Sequence, residues 1–292
     1  MDLFFQLLVN SIIAGGIYTL VAIGYTMVYG VLKFINFAHG DLAMVGAYIT
    51  YFLIQYVGLP ILPSIGIAVI TVAALGILIE KIAYKPLRDA PRLAPLITAI
   101  AVSIFLQSAV MLLFGARTKT LRIVSAKGLL FLGAYITPIQ IVIVLTSILL
   151  MILLNLYLKN AKLGKAMRAT ADEMTIASVV GIQVDRVISY VFGIGSSLAA
   201  VAGILIAFET NLNPVMGFIL GIKAFAAAVV GGIGSIRGAM VGGFIIGFAE
   251  NFGIWYIPTG YKNSVAFVIL VLVLLLRPSG IFGIKPEEEF KQ

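Results

Sequence analysis

The polar and charged positions of the chain fall in short stretches, and long apolar runs separate them. The 26 residues of 7–32 carry no charge, nor do the 18 residues of 141–158 or the 22 residues of 187–208. An α-helix rises about 1.5 Å per residue, so about 20 apolar residues cross the hydrocarbon layer of a bilayer. The pattern therefore predicts helices that span a membrane.

The whole chain divides into nine apolar segments of this kind. They cover residues 7–32, 40–57, 61–83, 95–114, 138–158, 187–208, 214–233, 238–256 and 263–276. The last segment is short, but Lys262 and Arg277 flank it, and long basic side chains reach the interfaces. We expect an all-α polytopic membrane protein, with a single transmembrane domain over residues 1–292 and about eight to ten transmembrane helices, some of them broken or re-entrant.

The composition agrees with this fold class. Hydrophobic residues make up 61% of the 292 residues and charged residues only 11%, whereas soluble domains are about 45–50% apolar and about 25% charged. The chain has no cysteine, which excludes disulfides, thiolate chemistry and cysteine metal sites. No basic stretch precedes the first apolar run, so we expect no removable signal peptide.

The basic residues indicate an orientation. Two connections on the same side of the predicted membrane are rich in lysine and arginine, and the C-terminal segment ends on that side. These residues are Lys81, Lys85, Arg88, Arg92, Lys159, Lys162, Lys165, Arg168, Arg277, Lys285 and Lys291. Because cytoplasmic loops are enriched in lysine and arginine, we expect a cytoplasmic C-terminus and an N-terminus outside the cell. This enrichment also accounts for the net charge of +8 without a nucleic-acid partner.

One loop disagrees with this orientation. Residues 117–127 carry four basic residues on the predicted outer side, in a stretch where Leu121–Val124 has a strand-like pattern. Glu209, Asn211 and Asn213 lie on the same side. They are either ordinary loop polarity or a place where a substrate-delivery protein docks.

The connection over residues 159–186 is too short for a domain but long enough for a pair of surface helices. Lys165–Val180 contains good helix formers, with small residues on one face and charges on the other, and Gly181 is placed to end the helix. Such a helix either lies on lipid headgroups or docks in a groove of a cytoplasmic partner, where small side chains permit close approach.

Two polar interruptions of the apolar pattern are candidates for a transport path. The first, INFAHGDLAMVGAY, contains Asn36, His39, Gly40 and Asp41. It marks either the end of the first span or a discontinuous helix that lines the path, because irregular backbone in a membrane survives only inside protein or beside water. Gly40 is expected to release the backbone from regular helix. A single histidine is a weak basis for a metal or catalytic site.

The second interruption is GGIGSIRGAMVGGFIIG, in which Gly231, Gly232, Gly234 and Gly238 break the helix. It follows an apolar membrane segment rather than a strand, so it is not a dinucleotide-binding fingerprint. Paired interruptions in two halves of a chain are typical of a substrate site between inverted repeats.

Four motifs together resemble one family over nearly the whole chain. They are RATADEMTIASVVGIQVDRVISYVFGIGSSLAAVAGIL, INFAHGDLAMVGAY, AFAAAVVGGIGSIRGAMVGGFIIGFAE and the ending RPSGIFG. The chain resembles the branched-chain amino acid ABC transporter permeases, of the type that pairs with a second, related permease. That family resembles the ribose-type permeases, which implies two inverted-topology halves, about 1–145 and 146–292.

The resemblance implies a non-enzymatic permease subunit of an ATP-driven importer in the bacterial inner membrane. Its partners would be a second permease (a relative or a second copy), two ATP-binding cassette subunits and an extracytoplasmic substrate-binding protein. The coupling residues it implies are Arg168, Ala171, Asp172, Glu173 and Gly181. No cofactor is expected in this chain, because Gly164-Lys165 is followed by Ala166 and no phosphate-binding GxxxxGK[ST] motif is present.

Three other functions remain as alternatives. A urea or short-amide ABC permease has similar motifs. An ion-coupled secondary transporter would use a carboxylate deep in a span, for which Asp41 and Glu80 are the early candidates, and an integral membrane enzyme would need convergent catalytic groups that are not visible.

The inverted halves also conflict with the span count, which places both interruptions at one face. One apolar segment is therefore expected to be a pair of half-helices. Segment 214–233 is favoured, because Lys223 would otherwise be buried.

Overall fold

The computed structural model describes residues 2–88, 90–91, 93–121 and 128–283, and within these ranges helices joined by loops make up the chain, with one short β-hairpin. The helices are α1 (Asp2–Leu32), α2 (His39–Gln55), α3 (Ile61–Ile79), α4 (Leu93–Phe114), α5 (Pro138–Asn160), α6 (Lys162–Asp172), α7 (Met174–Val179), α8 (Val184–Glu209), α9 (Met216–Gly231), α10 (Ile236–Gly253) and α11 (Lys262–Leu276). Strands β1 (Leu129–Phe131) and β2 (Ala134–Ile136) pair antiparallel. A π-helical turn, Glu80–Tyr84, and a 3-10 turn, Lys85–Leu87, prolong α3, and a 3-10 turn at Thr259–Tyr261 precedes α11.

Each of the nine predicted apolar segments coincides with one of these helices. Six helical stretches are long and apolar enough to cross a membrane alone, and α9 with α10 forms a bent pair that makes up to seven. Counting α2, which has 17 residues, and both members of the bent pair separately gives nine. The prediction of an all-α membrane protein with broken or re-entrant helices is confirmed.

The expected position of the half-helix break was wrong. Helix α9 runs unbroken from Met216 to Gly231, and the chain bends by 120° between α9 and α10 instead. Lys223 is therefore buried after all, with 7% of its surface exposed. It remains inside because Glu250 of α10 neutralises it.

Helix α1 lies at the centre of the bundle and packs antiparallel along α10 through small residues. A Cβ added to Gly243 would lie 2.1 Å from Oγ1 of Thr19, and one added to Gly247 would lie 2.5 Å from the backbone nitrogen of Gly15. Apolar lipid supplies no hydrophobic drive between helices, so small residues that allow close backbone contact stabilise such pairs. The two helices are thus held by van der Waals packing along their length.

The peripheral helices have the opposite character. They expose large apolar side chains along their outer surfaces, such as Leu62 and Leu112, with 77% and 87% of their surfaces exposed. Exposed apolar residues at this density suit contact with lipid tails rather than water. The buried polar side chains, by contrast, face the interior of the bundle.

The two ends of the bundle differ. At the end that we call the hairpin end, the start of α1 contacts β2, where Gln6 Oε1 accepts a hydrogen bond of 2.8 Å from the backbone N–H of Tyr135. Helices α6 and α7 lie at the opposite end, which we call the helix-pair end. Of the expected strand-like stretch, Leu121 lies outside any strand and residues 122–124 lie outside the described residues.

Candidate functional site

The segment predicted as one helix over Lys165–Val180 is two helices. Helix α6 ends at Asp172, Glu173 adopts extended backbone angles (φ −156°, ψ 112°), and α7 follows. The break occurs because the Glu173 side chain accepts a hydrogen bond from the backbone N–H of Thr175 and so caps α7. Gly181 follows α7 with a φ of +87°, a conformation that favours glycine.

The small residues of this helix pair face the permease itself rather than outward. Gly164, Thr170 and Ala177 are buried, and so is the larger side chain of Met167. The outer surface instead carries large apolar side chains and two carboxylates, namely those of Ile176, Val179, Val180, Asp172 and Glu173. The sequence analysis did not identify the three apolar residues as part of a contact surface. The available signal was their number, since three large apolar side chains are unusual in a six-residue solvent-exposed helix and its C-cap.

Helix α6 is fixed to the end of α5. The Arg168 guanidinium donates a hydrogen bond of 2.7 Å to the Leu158 carbonyl oxygen, one of the unsatisfied carbonyls of the last turn of α5. A Cβ on Gly164 would lie 1.9 Å from the same oxygen. Arg168 and Gly164 therefore hold the two helices at a fixed distance.

A cavity of about 470 Å³, which we call the helix-pair cavity, brings two of the predicted motifs together. Arg168 and Ala171 of α6 line it together with Gly234 of the glycine turn. Further lining residues come from α1 and α5, among them Thr26, Met27, Gly30, Val31 and Asn155. The coupling segment and the glycine turn thus meet beside the end of α1.

The other glycines of the turn shape it without lining the cavity. Gly232 has a φ of +104°, and a Cβ on Gly231 would lie 1.9 Å from the Gly238 carbonyl oxygen. Ser235 caps α10 by accepting a hydrogen bond from the backbone N–H of Gly238. The turn is tight because α9 and α10 touch through their backbones.

Asn36, His39 and Asp41 are buried between helices. Asn36 Oδ1 accepts a hydrogen bond of 2.6 Å from the Tyr84 hydroxyl, and Asp41 accepts from Ser103 at 2.5 Å and Gln107 at 3.1 Å. The His39 ring lies edge-on to Tyr25, with 5.0 Å between ring centroids. None of the three lines the helix-pair cavity. Their predicted contribution to the path stays a prediction.

The expectation for Gly40 was wrong. It lies in the regular first turn of α2, and the irregular backbone precedes it, from Lys33, which has a φ of +56°. A Cβ on Gly40 would lie 2.3 Å from the Gly217 carbonyl oxygen of α9. Gly40 therefore serves close packing of α2 on α9 rather than a departure from the helix.

The inner helices hold a buried charged cluster that sequence reasoning did not assemble, formed by Tyr18, Lys223 and Glu250. Lys223 Nζ lies 3.0 Å from both carboxylate oxygens of Glu250, and the Tyr18 hydroxyl donates to one of them at 2.7 Å. Buried charges persist in apolar surroundings only when they are paired and hydrogen-bonded. The available signal was one lysine and one glutamate in two separate apolar segments.

A second cavity, of about 240 Å³, opens beside this cluster towards the hairpin end, and we call it the hairpin-end cavity. The N-terminal half of α1, the end of α8, the end of α10 and the start of α11 line it. Its lining residues are Asn10, Ile13, Ala14, Ile17, Tyr18, Ile206, Glu209, Thr210, Asn251 and Lys262. Tyr18 belongs both to this cavity and to the buried cluster, so the cluster closes the cavity on its inner side.

Glu80, a candidate for ion coupling, is held in place by hydrogen bonds from neighbouring side chains. Its carboxylate accepts hydrogen bonds from Arg88 and from the Ser189 hydroxyl, and Arg88 also pairs with Asp185. The Glu80 carboxylate and the Arg88 guanidinium therefore join the end of α3 to α8. Among the described residues, no three His, Cys, Asp or Glu side chains are grouped so as to hold a metal ion.

Comparison with known proteins gives a consistent result. Residues 7–274 match the model of the family described as the branched-chain amino acid transport system permease component. The chain is 44% identical to the high-affinity branched-chain amino acid transport system permease protein BraD of Pseudomonas aeruginosa, over 98% of this chain and 97% of that protein. Identity to LivH of Escherichia coli, which carries the same description, is also 44%, over the same shares.

Two more distant similarities are partial or concern the fold. The ribose import permease protein RbsC of Haemophilus influenzae is 28% identical over 41% of this chain and 39% of that protein. The structure of PsaBC from Streptococcus pneumoniae in complex with a Fab contains a similar chain, with a TM-score of 0.52 and 12% identity over 100% of this chain and 96% of that one. At this identity the likeness concerns the fold alone.

Proposed function

The chain belongs to the family of branched-chain amino acid transport permeases, a non-enzymatic family, and on that premise we propose that it is the membrane-spanning permease subunit of an ATP-driven importer for branched-chain or other hydrophobic amino acids. The observation that carries the proposal is the helix pair α6–α7, which presents apolar side chains and carboxylates outward beside a cavity that reaches α1. Such a surface suits docking into the groove of a partner.

The proposal includes the assembly. Two ATP-binding cassette subunits would bind ATP, a second permease (a relative or a second copy) would complete the path, and an extracytoplasmic binding protein would deliver substrate. We place the helix-pair end in the cytoplasm of a bacterium and the N-terminus outside, because lysine and arginine are concentrated in the loops of that end. The two inverted halves, 1–145 and 146–292, remain part of the proposal.

We assign different roles to the coupling residues. Asp172 and Glu173 are exposed and would contact the ATP-binding subunit, with Ile176, Val179 and Val180 as the apolar part of the contact. Arg168 would transmit movement by its hydrogen bond to the end of α5, and Ala171 would transmit it by its place in the cavity wall. Gly181 would orient the pair by its turn.

The path residues also divide by position. We propose that Gly234 lines the path and that Gly231, Gly232 and Gly238 shape the turn that carries it. Asn36, His39 and Asp41 would support the path by fixing the start of α2 against its neighbours, and Gly40 would do so by its contact with α9.

The test of this function is copurification and transport. The tagged chain, purified from its native membrane, should bring ATP-binding subunits with it, and the reconstituted complex should take up leucine when ATP is supplied. The double charge reversal Asp172→Lys with Glu173→Lys should lower both recovery and uptake by about tenfold or more, because a surface that attracts these carboxylates repels lysines in the same place. Arg117→Glu, an exposed charge reversal at the opposite, hairpin end, is the control and should leave the recovery of the ATP-binding subunits unchanged.

Two results would refute the proposal. One is a chain that purifies without any ATPase. The other is uptake of leucine under an ion gradient with no ATP present.

Gly164→Ala should uncouple ATP hydrolysis from uptake. Its new methyl group meets the Leu158 carbonyl oxygen, so α6 must move away from α5 and lose the contact made by Arg168. We expect leucine uptake per ATP hydrolysed to fall roughly tenfold, while overpacking costs about 1–3 kcal/mol of stability. Gly66→Ala on α3, where nothing lies within 4 Å of the new Cβ, should leave the ratio unchanged. Equal ratios in both variants would show that the spacing of α5 and α6 is irrelevant to coupling.

A further inference from the structure

The hairpin-end cavity contains one positive and one negative side chain, and neither has a counter-ion. Among the described residues, Lys262 Nζ and the Glu209 carboxylate each lack an oppositely charged group within 4.0 Å, although both line the same cavity. The nearby cluster does not supply one, because the Glu250 carboxylate already pairs with Lys223. Glu209 is exposed and Lys262 is half-buried, so a ligand that enters from solvent can reach both charges.

Both groups have hydrogen-bonding capacity to spare. Lys262 Nζ donates one hydrogen bond, of 2.9 Å, to Asn251 Oδ1, and an ammonium group has three donors. Glu209 accepts one hydrogen bond at Oε1, from the Gln140 amide at 2.9 Å, and within the described part of the chain its second oxygen has no donor. An anion can therefore approach Lys262 and a cation can approach Glu209.

Four of the eight other residues that line the cavity are aliphatic, and the rest, Asn10, Tyr18, Thr210 and Asn251, are polar. Ile13, Ala14 and Ile17 come from successive turns of α1, and Ile206 faces them from α8. At roughly 30 Å³ per water molecule, a cavity of about 240 Å³ has room for a molecule the size of a small amino acid. Binding sites of this kind combine an apolar lining with a few placed polar groups.

We propose that the hairpin-end cavity is a binding site for a free aliphatic amino acid, with Lys262 facing its carboxylate, Glu209 facing its ammonium group, and Ile13, Ile17 and Ile206 contacting its side chain. This inference rests on the proposed function and assigns the substrate a place in it. Tyr18 and the Lys223–Glu250 pair form the inner boundary of the site, so the cluster is the barrier that the amino acid meets next.

The absence of cysteine from the chain allows a direct test by labelling. Ala14→Cys places one thiol in the cavity wall, and Thr259→Cys places one on the exposed turn before α11 as the control. Each variant is assembled into the complete importer, with any partner cysteines replaced, and treated from outside with a membrane-impermeant thiol reagent. Leucine should slow labelling at position 14 by about tenfold when it saturates the site, and should not affect position 259.

Charge recognition is tested in the Ala14→Cys background. With Lys262→Met, which keeps an apolar stem of similar length, the leucine concentration for half-protection should rise roughly 10- to 100-fold, because a charge-assisted hydrogen bond is lost. Lys262→Arg retains the charge and should recover most of the protection. Leucinamide, which has no carboxylate, should protect the parent protein poorly, and its concentration for half-protection should not rise further with Lys262→Met.

The outcomes separate this inference from the function on which it rests. Failure of the parent complex to take up leucine with ATP would overturn the proposed function. Normal uptake combined with equal labelling of position 14 with and without leucine would overturn the site alone. Protection that is the same for Lys262→Met and the parent would overturn the assignment of Lys262, and equal protection by leucinamide would do the same for carboxylate recognition.

Discussion

Lys223→Met is expected to prevent the protein from accumulating in a stable folded form. The substitution leaves the Glu250 carboxylate, which is 0% exposed, without its counter-ion inside the helix bundle. Removing one partner of a buried ion pair costs about 3–5 kcal/mol, which is a large part of the roughly 5–15 kcal/mol by which proteins are stable. Thermal unfolding of the detergent-purified protein and its yield from the membrane are the measurements.

The double variant Lys223→Met with Glu250→Gln separates the charge from the shape. It removes both charges and leaves the glutamine carbonyl oxygen able to accept the hydrogen bond of the Tyr18 hydroxyl. We expect it to recover most of the lost stability, since an uncharged pair of similar volume is often tolerated in place of a buried ion pair. The matched control is Lys85→Met, which breaks an exposed pair with Asp185 and should cost about 1 kcal/mol or less. A Lys223→Met protein as stable as the control would contradict the expectation.

Gly203→Ala is expected to force α2 and α8 apart. The new Cβ would lie 1.8 Å from the backbone oxygen of Ala43, and both residues are fully buried. A backbone atom cannot rotate away as a side chain does, so the helices themselves must move. We expect a loss of about 3 kcal/mol or more, at the upper end of overpacking effects.

Gly30→Ala is the comparison for this change. Gly30 lies in the last turn of α1, where nothing is within 4 Å of an added Cβ, so the better helix propensity of alanine should stabilise the protein slightly. The melting temperatures of the two variants should therefore move in opposite directions from that of the parent. Similar shifts would show that backbone contact between α2 and α8 does not limit stability.

The sequence predicted the helices well because the membrane imposes a simple rule. A span of apolar residues must satisfy its backbone hydrogen bonds internally and must be long enough to cross the membrane, and this rule located all nine helices. Two details were predicted wrongly. The solvent-exposed segment was expected to be one helix, but the capping side chain of Glu173 divides it into two. Segment 214–233 was expected to be broken, but an ion pair stabilises its buried lysine inside an unbroken helix.

The site was harder to predict, because its parts are distant in the sequence. Tyr18 and Glu250 are 232 positions apart and touch only through the antiparallel packing of α1 on α10. Hydropathy shows that Glu250 is a charged residue in an apolar segment, but it does not show which polar residue of another segment it contacts. The same holds for Gly40, whose contact with Gly217 depends on the crossing of two helices.

The length of α1 has a consequence for alternating access. At about 1.5 Å per residue its 31 residues measure about 46 Å, so one unbroken rod borders both cavities. With 3.6 residues per turn, Ile13 beside the hairpin-end cavity and Val31 beside the helix-pair cavity lie five turns apart on the same line along this rod. Because α1 has no break between them, a movement of its end at one cavity would be carried as a rigid body to the other. If transport by this chain uses alternating access, we expect α1 to move as a whole against its neighbours rather than to bend at an internal hinge.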